Sequence, residues 1–242
     1  MNENKRVALV TGANKGIGLE IARQLGQARI AVIVGARDRE RGQAAADLLR
    51  GEGIDAGFIQ LDVTDDASIG RAAGAIAATH GRLDILVNNA GINDHADGPP
   101  GSASVAAARR LFDTNFFGPL RVTQALLPLL RQAPAGRIVN VSSSLGSMAV
   151  NGDAASPYYG VRLIGYNASK AALNMLTVQL AEELHGTRIL VNAACPGYVA
   201  TDLNGHSGYL TPVEGAATPV RLALLEDDTT GAFMSSTGAV PW

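Results

Sequence analysis

Two side chains in the second half of the chain have the types and spacing needed for proton transfer. Tyr166 is the only one of five tyrosines that is followed four residues later by a lysine, Lys170. Residues four apart on a helix lie on the same face. A phenol titrates at about pH 10, and a neighbouring ammonium lowers that pKa. We therefore predict that Tyr166 acts as a general acid and base beside Lys170. The alternative interpretation is an ordinary amphipathic helix over 168–184.

Three consecutive hydroxyl groups follow a hydrophobic run at residues 138–141. Ser142, Ser143 and Ser144 come directly after it. In an open α/β sheet, ligands bind beyond the carboxyl ends of the strands. One of these serines is therefore predicted to donate a hydrogen bond to an oxygen that gains negative charge. A polar strand end is the alternative.

Asparagines mark two further positions on the same predicted rim. The segment Asn88-Asn89-Ala90-Gly91 ends another hydrophobic run. Asn115 lies within a helical pattern over 103–130, where an asparagine is mildly unfavourable. Asn115 is therefore a candidate site residue.

Hydrophobic runs alternate with stretches of helical spacing along all 242 residues. The runs cover residues 7–10, 30–34, 58–61, 85–87, 138–141 and 189–191. Continuous apolar runs are typical of parallel strands covered on both faces, joined by right-handed helical crossovers. We predict one domain with a Rossmann-type α/β fold, in which a doubly wound parallel sheet has helices on both faces.

A glycine-rich turn joins the first run to a predicted helix over 17–27. Gly12, Gly16 and Gly18 allow close approach of the backbone, and a helix N-terminus attracts anions, so the turn predicts a phosphate site of a dinucleotide. A tight structural turn is the alternative. The next run ends at Arg37, followed by Arg39 and Arg41, without the carboxylate that binds an NAD ribose, and a guanidinium there, above all that of Arg37, suits the 2′-phosphate of NADP(H). A solvated helix start with alternating charge is the alternative. Lys15 supplies a second cation.

Composition restricts the remaining functions. The net charge is −2 and the basic residues are dispersed, which argues against nucleic-acid binding. No apolar run has membrane-spanning length and no apolar leader follows the first residues, so we predict a cytoplasmic protein without membrane attachment. Cys195 is the only cysteine and is interpreted as a small core residue. The four histidines lack ligand spacing, so no metal site is predicted.

Taken together, these motifs resemble the short-chain dehydrogenase/reductase family and, within it, the NADPH-dependent carbonyl reductases. The resemblance covers nearly the whole chain. It implies a catalytic tetrad of Asn115, Ser143, Tyr166 and Lys170. It also implies an NADP(H) site at Gly12, Asn14, Lys15, Gly16, Ile17, Gly18, Arg37, Asp62, Val63, Asn89, Ala90, Gly91, Tyr166, Lys170, Pro196, Gly197, Val199 and Thr201.

The resemblance also implies a role for each member of the tetrad. Tyr166 protonates the carbonyl oxygen after hydride transfer, and Ser143 orients that oxygen. Lys170 holds the nicotinamide ribose, and Asn115 positions a water that returns protons to Lys170.

Two segments differ in length from the family pattern. An insertion over 151–165 precedes Tyr166, and the substrate lid over 203–212 is short. Monomeric relatives have a longer insertion, so monomer, homodimer and tetramer all stay open. The predicted substrate contacts are Ser143, Tyr166, Tyr158, Tyr159, His206 and Tyr209.

Three functions remain open from the sequence. The leading one is NADPH-dependent reduction of ketones or aldehydes to alcohols. The others are an NADP-linked alcohol or hydroxysteroid dehydrogenase working in oxidation, and a redox sensor that binds NADP(H) without turnover. The substrate, its stereochemistry and the physiological direction are not encoded in the motifs.

Overall fold

The computed structural model describes residues 5–242, and its centre is one predominantly parallel β-sheet. The sheet order is β3-β2-β1-β4-β5-β6-β7-β8, and β8 alone runs antiparallel to its neighbour. The strands are β1 (Val7–Thr11), β2 (Ala31–Ala36), β3 (Ala56–Gln60), β4 (Ile85–Asn88), β5 (Arg137–Val141), β6 (Leu190–Ala194), β7 (Phe233–Ser235) and β8 (Gly238–Ala239).

Helices connect the strands and cover both faces of the sheet. They are α1 (Gly16–Gln27), α2 (Arg39–Gly51), α3 (Asp66–His80), α4 (Val105–Phe112), α5 (Gly118–Leu130), α6 (Met148–Gly152), α7 (Ile164–Glu183) and α8 (Pro212–Ala223). A π-helical turn, Asp113–Phe117, separates α4 from α5, and 3-10 turns lie at Ser144–Gly146 and Asp202–Asn204. None of the described helices is long and apolar enough to cross a bilayer.

Two hydrophobic cores hold the layers together. One lies between the sheet and helices α1, α2 and α8 and includes Leu25 and Leu222. The other lies between the opposite face and helices α3, α5 and α7 and includes Leu126 and Leu173. Strand residues alternate between the two cores, which explains why the strands are apolar at consecutive positions. The predicted doubly wound α/β fold is confirmed.

The order of the strands reverses beside β1. In register, Val10 faces Val34 of β2 on one side and Val87 of β4 on the other. The crossovers from these two neighbours leave on opposite faces of the sheet, which opens a crevice at the carboxyl ends of β1 and β4. The glycine-rich turn, the segment 88–91 and the three serines after β5 all lie at this edge of the sheet.

The sequence prediction missed the last two strands. β7 pairs with β6 through only two residue pairs, and a two-residue turn leads into β8. Elements of three and two residues are too short to give a periodic pattern. They extend the sheet beyond β6 and leave the crevice unchanged.

The two segments of unusual length have different bounds from those predicted. Residues 151–152 end α6 and residues 164–165 begin α7, so the open part of the insertion is 153–163. Helix α7 begins four residues earlier than the amphipathic pattern indicated, which puts Tyr166 in its first turn. In the lid, Val199 bridges Leu210 in a short parallel contact before α8 begins at Pro212.

Candidate active site

The glycine-rich turn is packed against the end of β4. Thr11 Oγ1 accepts hydrogen bonds from the backbone N–H groups of Asn89 and Ala90, both at 3.0 Å. Gly12 has φ +65°, and a Cβ there would lie 2.9 Å from Ala90 Cα. A Cβ on Gly18 would lie 2.4 Å from Asn89 Nδ2. The first and last glycines are therefore required by contacts within the protein itself, a reason the sequence motif did not reveal.

The N-terminus of α1 is suited to bind an anion. Lys15 at the N-cap makes no side-chain cap, and the first turn contains no acidic residue. The N–H groups of that turn have no intrahelical acceptor, so they face the crevice with a partial positive charge. These features fit the pyrophosphate of a dinucleotide.

Arg37 follows β2 at the exposed end of the crevice. Within residues 5–242 no carboxylate lies at salt-bridge distance from its guanidinium. Lys15 does have a partner, since its Nζ lies 2.5 Å from Asp202 Oδ2 across the crevice. Arg41 lines a groove of about 420 Å³ together with Lys15 and Asp202. Arg41 is one of the arginines that the sequence places after β2, and it lies in the first turn of α2.

Two of the predicted cofactor residues, Asp62 and Val63, lie just past the end of β3. Asp62 Oδ1 accepts hydrogen bonds from the backbone N–H and hydroxyl of Thr64 at 3.0 and 2.7 Å. Val63 is buried, and a Cβ on Gly118 of α5 would lie 2.9 Å from Val63 Cγ2. Local bonding and packing therefore hold this corner at the same edge as the glycine turn.

Asn115 is not in a regular α-helix, as the 103–130 pattern suggested, but in the π turn. It is fully buried, and its Oδ1 accepts from Ile92 N at 2.9 Å. Its Nδ2 donates to Ile92 O and to Ser169 Oγ, both at 3.1 Å. A π turn inserts an extra residue into the helix and is frequent at functional sites. Here it aims an otherwise unfavourable asparagine at the segment after β4.

Lys170 is buried and held in place by the end of β5. Its Nζ donates to Val141 O at 2.8 Å. A Cβ on Gly146 would lie 2.8 Å from Lys170 Cβ, so the 3-10 turn after Ser143 packs tightly on α7. Burial lowers the pKa of Lys170 to about 8 because the ammonium loses water that one carbonyl does not replace.

Tyr166 lies beside Lys170, but the ammonium faces its ring. Lys170 Nζ is 5.8 Å from the ring centroid. The pKa of Tyr166 is raised to about 12, mainly by burial and to a lesser extent by the nearby Cys195, while Ser143 offsets part of the rise. The predicted lowering of the phenol pKa by Lys170 is therefore wrong for the protein without cofactor. Burial of the phenol has a larger effect on its pKa than the Lys170 ammonium, which lies over the ring and not beside the hydroxyl.

The three serines after β5 have different partners. Ser142 Oγ donates to Asn174 Oδ1 at 2.6 Å inside the core. Ser144 Oγ lies 3.1 Å from the sulfur of Cys195. Ser143 is half-buried, accepts from Leu145 N at 3.2 Å, and lies close enough to Tyr166 to lower the pKa of that phenol. Of the three serines, only Ser143 has this effect on the tyrosine.

Buried polar side chains brace these residues from below. Asn88 Nδ2 donates to Asn140 Oδ1 at 2.9 Å, and Asn140 Nδ2 donates to Thr177 Oγ1 at 2.9 Å. The chain of bonds joins β4, β5 and α7. Asn88 Oδ1 is buried without a hydrogen-bond partner among the described residues, but the bonds that are made still favour one arrangement of the elements they join. The sequence analysis missed it because its members are distant in sequence.

The segment after β6 faces the glycine turn. Its predicted cofactor residues are Pro196, Gly197, Val199 and Thr201. Gly197 has φ +83°, and a Cβ on it would lie 2.6 Å from Leu210 Cδ1. A Cβ on Gly16 would lie 3.5 Å from Thr201 Cγ2. This segment therefore forms the wall of the crevice opposite the α1 N-terminus.

We call Asn115, Ser143, Tyr166 and Lys170 the site floor, and residues 153–163 and 203–211 the rim. In the rim, Tyr158 is half-buried. Burial is the main cause that raises the pKa of Tyr158, with the nearby Tyr209 and Cys195 adding to it. Tyr159 is 51% exposed. His206 Nε2 lies 2.8 Å from Asp202 Oδ1, on the cofactor side.

No group of three or more potential metal ligands occurs within residues 5–242. A groove of about 480 Å³ runs along α4 and the π turn, and none of the predicted site residues lines it.

Comparison with known proteins gives consistent matches. The family model for short chain dehydrogenases matches residues 6–208. Carbonyl reductase (NADPH) 1 of Sus scrofa is 38% identical over 283 aligned positions, which cover 100% of this chain and 96% of the relative. The (-)-isopiperitenone reductase of Mentha piperita is 36% identical over 94% of this chain and 95% of its own length.

A solved structure has a similar fold. The NADPH-bound carbonyl reductase from chicken fatty liver superimposes with a TM-score of 0.85 at 31% identity, covering 98% of this chain and 99% of that chain.

Proposed function

The chain belongs to the short-chain dehydrogenase family, and on that basis we propose that it uses NADPH to reduce ketones or aldehydes to alcohols. One observation supports this most directly. Lys170 is buried, bonded to the last residue of β5 and placed over the ring of Tyr166, while Ser143 lies beside the same tyrosine. Proton donor, orienting hydroxyl and cation thus converge at the carboxyl edge of the sheet.

The residues around the crevice fit NADPH. The uncapped N-terminus of α1 binds the pyrophosphate, and Arg37 with Lys15 binds the 2′-phosphate. Lys170 binds the nicotinamide ribose, close to Gly91. Bound NADPH supplies the hydride, a reaction that no side chain of the protein provides.

The site floor provides the proton. Tyr166 donates its proton to the carbonyl oxygen as negative charge develops there. Ser143 donates a hydrogen bond to the same oxygen and so sets its orientation. Asn115 Oδ1 and Lys170 Nζ both lie next to Gly91, at 3.4 and 3.6 Å from the Cβ position of that glycine. Asn115 keeps this neighbourhood in place and is the proposed site of the water that returns protons to Lys170.

Reduction is favoured over oxidation by the state of Tyr166. A phenol with a pKa of about 12 carries its proton at neutral pH and is ready to donate it. Alcohol oxidation would require the phenolate, which burial disfavours before cofactor binds. A redox sensor without turnover has no need for the complete site floor.

A substrate screen tests the proposal. Purified protein is mixed with NADPH and a panel of ketones, aldehydes and quinones, and the loss of cofactor absorbance is followed together with chiral analysis of the products. We expect NADPH-dependent formation of alcohols with several carbonyl compounds. Binding of NADPH without consumption across the whole panel would contradict the proposal.

A further inference from the structure

The helix that carries Tyr166 and Lys170 is capped from a distant part of the chain. Its own N-cap residue, Leu163, makes no side-chain cap, and its first turn has no acidic residue. Helices α2, α3, α4 and α8 instead use the N-cap side chains of Asp38, Asp65, Ser104 and Thr211. Helix α7 therefore takes its cap from a different source.

That source is the carboxylate of Asp97, in the segment between β4 and α4. Asp97 Oδ1 accepts from Gly165 N at 2.9 Å, and Oδ2 accepts from Tyr166 N at 2.8 Å. Oδ1 also accepts from Gly98 N at 2.9 Å. Within residues 5–242 no cation lies at salt-bridge distance from this carboxylate. All its recorded hydrogen bonds come from backbone N–H groups.

The contact is close on both sides. Ile164 N donates to Gly98 O at 3.0 Å, which adds a second link between the same two segments. A Cβ on Gly165 would lie 2.7 Å from Leu111 Cδ1 and 3.1 Å from Asp97 Oδ1. Glycine at position 165 is therefore needed for α7 to approach α4 and the carboxylate.

The segment that carries Asp97 is held at its other end by the site floor. Ile92 exchanges two hydrogen bonds with Asn115, and Gly91 lies next to Lys170. Residues 92–97 therefore form a short bridge between Asn115 and the backbone of Tyr166. A carboxylate at a helix N-terminus also stabilises the helix dipole, but that contribution needs no particular partner segment.

We propose that Asp97 is a positioning residue for Tyr166, which ties the first turn of α7 to the segment beside the nicotinamide site. This inference rests on the proposed function, because it concerns the placement of the proton donor against the cofactor. A misplacement of about 1 Å can cost about a hundredfold in rate. If Asp97 served only the stability of α7, any acceptor for the N–H groups of Gly165 and Tyr166 would replace it.

Moving the cap of α7 from Asp97 to position 163 distinguishes a positioning role of Asp97 from a purely stabilising one. Leu163 is the N-cap, so an aspartate there can accept from the same N–H groups of Gly165 and Tyr166. In Asp97→Ala we expect kcat to fall by about tenfold to a hundredfold and the melting temperature to fall, with Kd for NADPH near the wild-type value. In Asp97→Ala/Leu163→Asp we expect the melting temperature to recover while kcat stays low. Recovery of both would overturn the proposal, as would unchanged kcat in Asp97→Ala.

Matched variants control for the substitutions. Leu163→Asp alone should keep wild-type kcat. Asp65→Ala removes the local cap of α3, where Asp65 Oδ1 accepts from Ala67 N at 2.9 Å, and should lower the melting temperature without lowering kcat. If Asp97→Ala does not fold, Asp97→Asn replaces it, because its amide keeps the shape but turns a donor toward Tyr166 N.

Amide hydrogen exchange gives a readout that needs no turnover. Exchange at residues 92–98 should be faster in Asp97→Ala/Leu163→Asp than in the wild type, since the segment loses its tie to α7. Wild-type exchange rates there would count against Asp97 even if no carbonyl substrate were found. A wild type that reduces nothing, with faster exchange in the variant, would contradict the proposed function and leave the tie intact.

Discussion

The site floor and the rim differ in how they are held, although the rim segment 153–163 ends only three residues before Tyr166 of the floor. Asn115 and Lys170 are buried, with every bond directed to backbone or to a neighbouring polar side chain. Rim residues Tyr159 and Tyr209 are 51% and 75% exposed. Rigid placement suits groups that must meet reacting atoms, whereas exposed loops suit contacts that vary with substrate. On this basis we propose that the floor determines the reaction type and the rim the substrate range.

Removing one oxygen atom from the floor is expected to have the largest effect. Tyr166→Phe keeps the ring under Lys170 and deletes only the proton donor. General acid catalysis contributes about a hundred- to ten-thousand-fold, so kcat should fall by that factor while Kd for NADPH stays close to the wild-type value. Steady-state kinetics and fluorescence titration measure the two quantities.

The same substitution in the rim is the control. Tyr159→Phe also removes a phenol oxygen, but from a ring that points to solvent, and kcat should not change. Comparable losses in the two variants would remove the distinction between floor and rim.

Arg37 is an exposed residue whose substitution is nevertheless expected to weaken NADPH binding. A charge-assisted hydrogen bond contributes about 1.5–3 kcal/mol, so Arg37→Ala should weaken NADPH binding about tenfold to a hundredfold and leave NADH binding nearly unchanged. Titration with both cofactors measures this. Arg39→Ala is the control, since it removes an exposed guanidinium of the same kind only two residues further along, at the start of α2. Equal use of NADH and NADPH by the wild type would refute the assignment.

Features of the floor were predictable from sequence to the extent that they are local. The Tyr166–Lys170 spacing and the serines after β5 follow from helix and strand periodicity. The Asp97 cap could not be predicted, because it joins residues 69 positions apart. The raised pKa of Tyr166 was also inaccessible, since its direction depends on burial and on where Lys170 Nζ points. Contacts between residues distant in sequence determine these features, and the periodicity of the sequence does not reveal them.

The floor should also respond to pH through Lys170. Its pKa of about 8 means that the ammonium form is lost as pH rises through that value. Tyr166, with a pKa of about 12, stays protonated over the same range. The kcat/KM for reduction should therefore be flat near neutral pH and fall above about pH 8. Because a guanidinium keeps its charge, this alkaline limb should disappear from the residual activity of Lys170→Arg. An alkaline limb that persists in that variant would belong to another group.

The smallest effects are expected in the rim, where two adjacent tyrosines differ in exposure. Tyr158 is half-buried near Tyr209 of the lid and Cys195, while Tyr159 is 51% exposed. A contact that is equally strong in ground and transition states raises KM and spares kcat when it is lost. Tyr158→Ala should therefore change the ranking of bulky against small ketones several-fold in KM, with kcat on the best small substrate nearly unchanged. Tyr159→Ala should leave the ranking as it is.

Measuring kcat and KM for a series of ketones of increasing size checks both variants, together with their melting temperatures. Parallel losses on every substrate and a lower melting temperature in Tyr158→Ala would assign that side chain to the stability of the fold and not to substrate choice.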